Sequence, residues 1–356
     1  MTEFNKFNYI GSKYKLFPDI LSIIYEKIGT NDISGMTVGD LFSGTGICSY
    51  NFRILGANVI SNDYEYYGYV IAQAFSCSVI TDNIIKKIEN LNKLTPISGI
   101  IHKNYGSERM FFTEKNAMKI DSMRISLEKY KKNDEINLNE YYYLLTCIML
   151  AADKVANITS VYGAFLKQFK ASALKDIEVK HLHLISKKNK KNLVHNKNIN
   201  DLVESDNQIY DIVYLDPPYN SRQYSKNYHV LNYIAMYKDI EIKGITGLLV
   251  NSNISSYCRK GEVAAEFENL FACIKSKWLF MSYNSESLLS KKEIMKIMIK
   301  YGKVDCTEKV YKRFKSNSNG TQKETVIEYI FFLEYFKEKE EEEEEEISKL
   351  VNKLKI

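Results

Sequence analysis

Long apolar runs, paired cysteines and prolines are all scarce in this chain of 356 residues. No stretch of about eighteen apolar residues occurs, so an ordinary membrane-spanning helix is excluded. The first residues, Met1-Thr2-Glu3-Phe4-Asn5-Lys6, lack the apolar core of a secretory signal, and a cytoplasmic protein with no membrane partner is expected. Six cysteines (Cys48, Cys77, Cys147, Cys258, Cys273 and Cys306) are scattered along the chain. None of their spacings is that of a zinc site, which points to a reducing compartment and no structural metal. His181 and His183 stand two apart, with no carboxylate pattern to make them ligands. No internal repeat and no separate nuclease pattern is found. Only four prolines occur, and two of them are adjacent.

What is there is an ordinary globular composition, 45% apolar and 26% charged, long enough for one large domain or two. The net charge of +5 conceals an asymmetry. Residues 337–346 hold two lysines and eight glutamates, and the rest of the chain carries 47 basic against 36 acidic residues. A basic body of that size suits a polyanionic partner. The 27 tyrosines, many beside lysine or arginine, suit phosphate contacts and base stacking, although an AT-rich coding sequence yields the same bias.

Asp211-Ile212-Val213-Tyr214-Leu215-Asp216-Pro217-Pro218-Tyr219-Asn220 is the most informative stretch. Its apolar, β-branched start reads as a short buried strand. The strand stops at a carboxylate because two prolines cannot continue a ladder. Asp216 and Tyr219 are left at the carboxyl edge of a sheet, where open α/β sheets bind ligands. An acceptor carboxylate beside a ring, on a stiffened backbone, suits a planar base that carries an amino group. An ordinary strand-ending turn is the plainer alternative.

Upstream, residues 36–42 read as a strand ending in Ser43-Gly44-Thr45-Gly46, 47–55 as a helix, and 57–63 as a second strand closed by Asp63. The glycines allow tight turning and close backbone approach at a helix N-terminus, and Asp63 sits where a carboxylate meets ribose hydroxyls. Ser49 stands where a dinucleotide motif needs its third glycine, so one nucleoside with a short charged tail fits better than a nicotinamide or flavin. Strand, glycine turn, helix, strand, acid opens a doubly wound α/β sheet. Residues 7–28 lead into an amphipathic helix with Leu16, Ile20, Ile23 and Ile24 on one face. The region 80–195 is helical in pattern, with Leu144, Ile148, Ala151 and Val155 marking a buried helix. Further strands are expected near 193, at 277–283 and at 324–336, the last paired with 309–314 around the loop 316–320. Glu340 to Glu346 is an acidic run before Ile347, Leu350, Val351 and Leu354. It reads as a solvated terminal helix, a mimic that occupies a DNA groove, or an oligomer contact.

Phe42-x-Gly44-x-Gly46 together with Asp216-Pro217-Pro218-Tyr219 resembles the cofactor and catalytic motifs of the adenine-N6 DNA methyltransferases. Asn8-Tyr9-Ile10-Gly11-Ser12-Lys13 is similar to the extra motif that precedes the glycine loop in the Dam-like, α-type branch. Asn220-Ser221-Arg222-Gln223-Tyr224 with Tyr228-His229 resembles its type II restriction-modification members. Residues 111–121 and 152–157 also look like stretches the family carries, without an assignable role. The resemblance covers most of 5–336. It implies a Rossmann-like, S-adenosylmethionine-dependent methyltransferase fold: a mixed, mostly parallel sheet with an antiparallel edge hairpin and a mainly helical insert. The implied division is a catalytic domain of 1–80 and 195–336, an insert of 81–194 for target recognition, and an acidic tail with a short helix at 337–356.

Carried over by residue, Tyr9 would pack near the cofactor with Gly11 and Ser12, and Lys13 would pair with the methionine carboxylate. Asp40, Phe42, Ser43, Gly44 and Gly46 would shape the methionine site, and Asp63 would bind the ribose. Asn198 stands where the family usually has an acid for the cofactor's adenine amino group; its amide oxygen can accept that bond without charge. The Asp216 carboxylate and the Pro217 carbonyl would accept the two amino hydrogens of the target adenine, with Pro218 stiffening the turn. This favours a tetrahedral nitrogen by positioning and electrostatics. Tyr219 would stack on the base once it is flipped from the duplex.

The implied partner is double-stranded DNA, with a cognate restriction endonuclease alongside and a monomer or weak dimer as the working unit. Lys187, Lys188, Lys190 and Lys191 form a phosphate-contacting loop or a merely solvated one. Arg222 and Gln223 are expected to reach base edges through bidentate contacts, and Lys315 to approach the flipped base. The alternatives are cytosine-N4 methylation, which more often has serine at the Asp216 position, methylation of RNA adenine or protein glutamine, which usually has asparagine, and a DNA-binding subunit that has lost catalysis.

Overall fold

The structure, a computed structural model, describes residues 7, 9, 11–77, 79–182, 184, 192–312 and 325–336. The chain opens with α1 (Phe17–Ile28), β1 (Thr37–Asp40), α2 (Ile47–Ile54), β2 (Asn58–Asn62) and α3 (Tyr66–Cys77). The insert supplies α4 (Asp82–Lys93), a π-helical turn at His102–Ser107, α5 (Glu114–Lys132) and α6 (Leu138–Val155). Then follow β3 (Leu193–His195), α7 (Ile199–Ser205), β4 (Tyr210–Leu215), α8 (Tyr224–Asn227) and α9 (His229–Met236). The last elements are the short ladder of β5 (Ile242–Lys243) and β6 (Leu248–Leu249), α10 (Val263–Cys273), β7 (Ser276–Asn284), α11 (Lys291–Met298), β8 (Gly302–Lys312) and β9 (Thr325–Tyr335).

Among the described residues, seven strands form one sheet in the order β3-β2-β1-β4-β7-β9-β8. The first five run parallel, and β9 lies antiparallel to both β7 and β8. This is the expected Rossmann-like α/β sheet with an antiparallel edge hairpin. Ile212, Val213, Tyr214 and Leu215 are all buried, as a central parallel strand covered on both faces requires. The chain winds outward from β1 to β3 and then crosses back to β4. The carboxyl ends of β1 and β4 therefore flank the switch-point crevice where such sheets bind ligands.

The helices form for local reasons. Pro18 sits in the first turn of α1, and Gly29 at φ 76° ends it while donating its N–H to the Tyr25 carbonyl. Ile20, Ile23 and Ile24 are buried as their spacing predicts, with Leu16 just ahead of the helix. α6 starts at a reciprocal capping box between Asn137 and Glu140 and is buried on nearly every side, which explains why its sequence is apolar all round. The insert does not keep a core to itself: a single apolar cluster joins α4, α5 and α6 to α3 and α9. The fully buried Arg124 of α5 strengthens that joint, since it donates to the Ile234 and Ala235 carbonyls at 2.8 and 3.2 Å. No helix among the described residues is long and apolar enough to cross a membrane.

β8 starts seven residues before the expected 309, and the β5–β6 ladder had no expected counterpart. Val304 and Cys306 alternate with Lys303, Asp305 and Thr307, a period-two signal that the expected boundary left out, and backbone pairing with β9 carries the strand on through Glu308. The loop 316–320, the tail 337–356, His183, Lys187, Lys188, Lys190, Lys191 and Lys315 lie outside the described residues.

Candidate active site

The glycine turn follows β1. Gly44 and Gly46 take left-handed φ values of 50° and 69°, a region open to glycine and strained for most other residues. A Cβ on Gly44 would stand 3.1 Å from the Tyr9 hydroxyl, and one on Gly46 would stand 2.8 Å from the Phe75 ring. Gly44 donates its N–H to Asp63 Oδ2 at 2.6 Å, and Glu65 donates its own to Oδ1 at 2.8 Å. Burial pushes the Asp63 carboxyl up to about 6 against these two lowering bonds. Asp40 accepts the Ser49 N–H and hydroxyl on Oδ2 at 2.8 and 2.5 Å. Burial raises it to about 7. Among the described residues, Asp40 Oδ1 and Ser43 Oγ are buried without a hydrogen-bond partner.

The Asp-Pro-Pro-Tyr turn leaves β4 on the other side of the crevice. The Lys13 ammonium lies 2.7 Å from Asp216 Oδ1 and 3.7 Å from Glu328 Oε1, and it donates to the Gly11 carbonyl at 3.2 Å. Glu328 arrives on β9, paired across from Asn284 of β7. Burial opposes the Lys13 charge, but the Asp216 and Glu328 carboxylates outweigh it and hold the ammonium above its ordinary range. Burial pushes Asp216 above the usual carboxylate range, and Lys13 acts in the opposite direction. The Tyr219 carbonyl accepts the Leu288 N–H at 2.9 Å, which fixes the turn. An aromatic wall stands nearby: the Tyr9 and Tyr228 rings stack at 4.7 Å, and Tyr224 lies 5.7 Å from Tyr9.

These two halves share an open pocket of about 830 Å³. Of the expected cofactor residues, Tyr9, Gly11, Ser12 and Lys13 line it, and so do Asp40, Phe42, Ser43, Gly44 and Asp63. Asp216, Pro218, Tyr219 and Gln223 line it too. Gly46 and Pro217 are buried and do not line it. Asn198 is not brought in: its Oδ1 accepts the Asn200 N–H at 3.0 Å and caps α7. Arg222 is exposed beside the pocket. Glu65, Tyr64, Tyr67 and Ser255 also line the pocket and were not foreseen. Glu65 accepts a bond from Asn232 at 2.5 Å, and burial pushes it up to about 8. An acid two residues past Asp63 was the available signal for it. For Glu328 the signal was one of two carboxylates in a largely apolar strand.

Comparison with known proteins agrees with this geometry. The family model for D12 class N6 adenine-specific DNA methyltransferases matches residues 9–297. The type II methyltransferase M.NlaIII of Neisseria lactamica is 39% identical over 336 residues, which span 92% of this chain and 99% of that one. M.CviAII of Paramecium bursaria Chlorella virus 1 is 38% identical over 335 residues, 92% and 98% of the two chains. M.FokI of Planomicrobium okeanokoites is 35% identical over 352 residues, 92% of this chain but 52% of its own. With the glycine turn and the Asp-Pro-Pro-Tyr turn facing one pocket at the switch point, the chain belongs to the D12 class of N6 adenine-specific DNA methyltransferases.

Proposed function

We propose that the two halves of the pocket divide the reaction between them, the glycine half holding the methyl donor and the Asp-Pro-Pro-Tyr half holding an adenine flipped out of duplex DNA. The observation that carries this reading is that Asp216 and the Gly44–Asp63 pair line the same pocket. S-adenosylmethionine is the cofactor, and it supplies an electrophilic methyl group on a sulfonium cation. The residues present fit it. Five carboxyl groups (Asp40, Asp63, Glu65, Asp216 and Glu328) stand around or beside the pocket against one ammonium, Lys13, among the described residues. Burial keeps Asp40 and Glu65 partly protonated, and a bound cation draws those protons off, so the set favours a cation over a phosphate-bearing cofactor. Gly44 presents bare backbone to the pocket, and Ser43 Oγ and Asp40 Oδ1 are buried polar atoms that no described residue satisfies. Asp63, pinned by two backbone N–H groups, keeps lone pairs for ribose hydroxyls.

At the base, the Asp216 carboxylate and the Pro217 carbonyl accept the two amino hydrogens of adenine. The amino lone pair is thereby withdrawn from the ring, and the positive charge that grows on nitrogen meets a preorganised acceptor. Asp216 also takes the proton that the nitrogen sheds and passes it to solvent. Only the ionised carboxylate can do this; burial disfavours that form, and the Lys13 ammonium at 2.7 Å works against the burial. Tyr219 stacks on the flipped ring and offsets part of an unstacking cost of about a few kcal/mol.

The insert 81–194, sharing its core with α3 and α9 beside the pocket, is the proposed target-recognition region, with Arg222 reaching the DNA from the pocket rim. The named relatives are type II methyltransferases, and we place this enzyme likewise in a cytoplasmic restriction-modification system. Transfer of tritiated methyl groups to duplex DNA, followed by nucleoside analysis, tests the reading. Label should appear in N6-methyladenine. Asp216→Ala should abolish transfer while cofactor binding stays measurable; near-normal turnover in that variant sinks the mechanism.

A further inference from the structure

Gln223 lines the pocket, yet its amide is engaged within the protein. Its Oε1 accepts the Ser255 N–H at 2.8 Å, and its Nε2 donates to the Ser255 carbonyl at 3.0 Å. The opposite amide orientation would set oxygen against oxygen and N–H against N–H. A glutamine that reads an adenine edge uses those same two atoms, so reading and pairing compete. The surrounding bonds favour pairing. Ser225 Oγ donates to the Asn253 carbonyl at 2.6 Å, and Cys258 Sγ lies 3.5 Å from the Arg222 carbonyl. On the far side, Asn253 Nδ2 donates to the Tyr64 carbonyl at 2.6 Å, next to Asp63. The strap 250–258 is thus sewn at one edge to the loop after Asp-Pro-Pro-Tyr and at the other to the end of β2.

We propose that Gln223 is a positioning residue that clamps this strap across the pocket and holds the cofactor half and the base half in register, and that it does not read DNA bases. The proposal rests on the functional reading above for what the pocket holds. The backbone permits a clean test, because Ser255 has φ −86°, near the value proline imposes. Ser255→Pro deletes the donated N–H with little change in path.

Titration calorimetry with S-adenosylhomocysteine, run beside mapping of methylated sites in cells that express each variant, decides it. Gln223→Ala should weaken binding by about five- to tenfold, the effect of one or two net hydrogen bonds, with the set of methylated sequences unchanged. Ser255→Pro should weaken it similarly, and the double variant should be no weaker than the poorer single one. Gln223→Glu keeps the acceptor but regains the donor only when protonated, so its defect should shrink as pH falls toward about 5. Wild-type binding by Gln223→Ala with a broadened set of methylated sequences overturns the clamp, and so do single losses that multiply in the double variant. Failure of the wild type to methylate DNA would instead overturn the functional reading, while the binding measurements judge the clamp separately.

Discussion

Replacing Lys13 by methionine removes one charge from the centre of the pocket while keeping an unbranched side chain of similar length. In the native protein Asp216 Oδ1 lies 2.7 Å from the Lys13 ammonium, whose side chain is 6% exposed. Removing one partner of a buried ion pair costs about 3–5 kcal/mol, because the other charge is stranded. Asp216 keeps 24% exposure and can escape by protonation, so a loss of about 3 kcal/mol at neutral pH is expected. The sign with pH follows from linkage. Asp216 already has a raised folded pKa from burial, and losing Lys13 raises it further. A folded state that binds a proton more tightly than the unfolded chain loses stability as pH rises from the unfolded value, about 3.9, to the folded one, and then levels off. Activity runs the other way, since transfer needs the ionised carboxylate: the acid limb of the single-turnover rate should move to higher pH, with recovery in alkaline solution. Thermal unfolding and single-turnover transfer between about pH 5 and 9 measure both. A variant whose pH profile overlays the wild type while its affinity for S-adenosylmethionine falls would refute the reasoning and return Lys13 to the cofactor's carboxylate.

Gly46→Ala combines φ 69° with a Cβ only 2.8 Å from the Phe75 ring; a stability loss of about 1–3 kcal/mol and weaker cofactor binding should appear in unfolding and calorimetric titrations. Tyr219→Leu removes the stacking ring and should raise KM for DNA by an amount equivalent to about 1–3 kcal/mol, with affinity for S-adenosylhomocysteine unchanged. Arg124→Met leaves the Ile234 and Ala235 carbonyls without their donor at a cost of about 3 kcal/mol or more. Hydrogen exchange should then quicken in α9 and α5 together before the parallel strands respond.

The sequence by itself determined the local features of the site. An apolar run halted by two prolines leaves Asp216 at a strand end whatever surrounds it, and glycines at 44 and 46 mark a tight turn before a helix, because both follow from backbone sterics within a few residues. The order of these motifs also sufficed to indicate the family, the mixed sheet and the helical insert. Tertiary structure decided which groups meet. Lys13, expected to pair with the cofactor's carboxylate, lines the pocket with its ammonium on Asp216; Glu328 joins them only through the register of β9 on β7. Asn198 was expected at the cofactor's adenine and spends its side-chain oxygen on capping α7. Gln223 was expected at a base edge and pairs with the Ser255 backbone. Each of these side chains carries a charge or an amide with several eligible partners. The choice is made by distances of a few ångströms between elements far apart in the chain, and no local spacing encodes those distances.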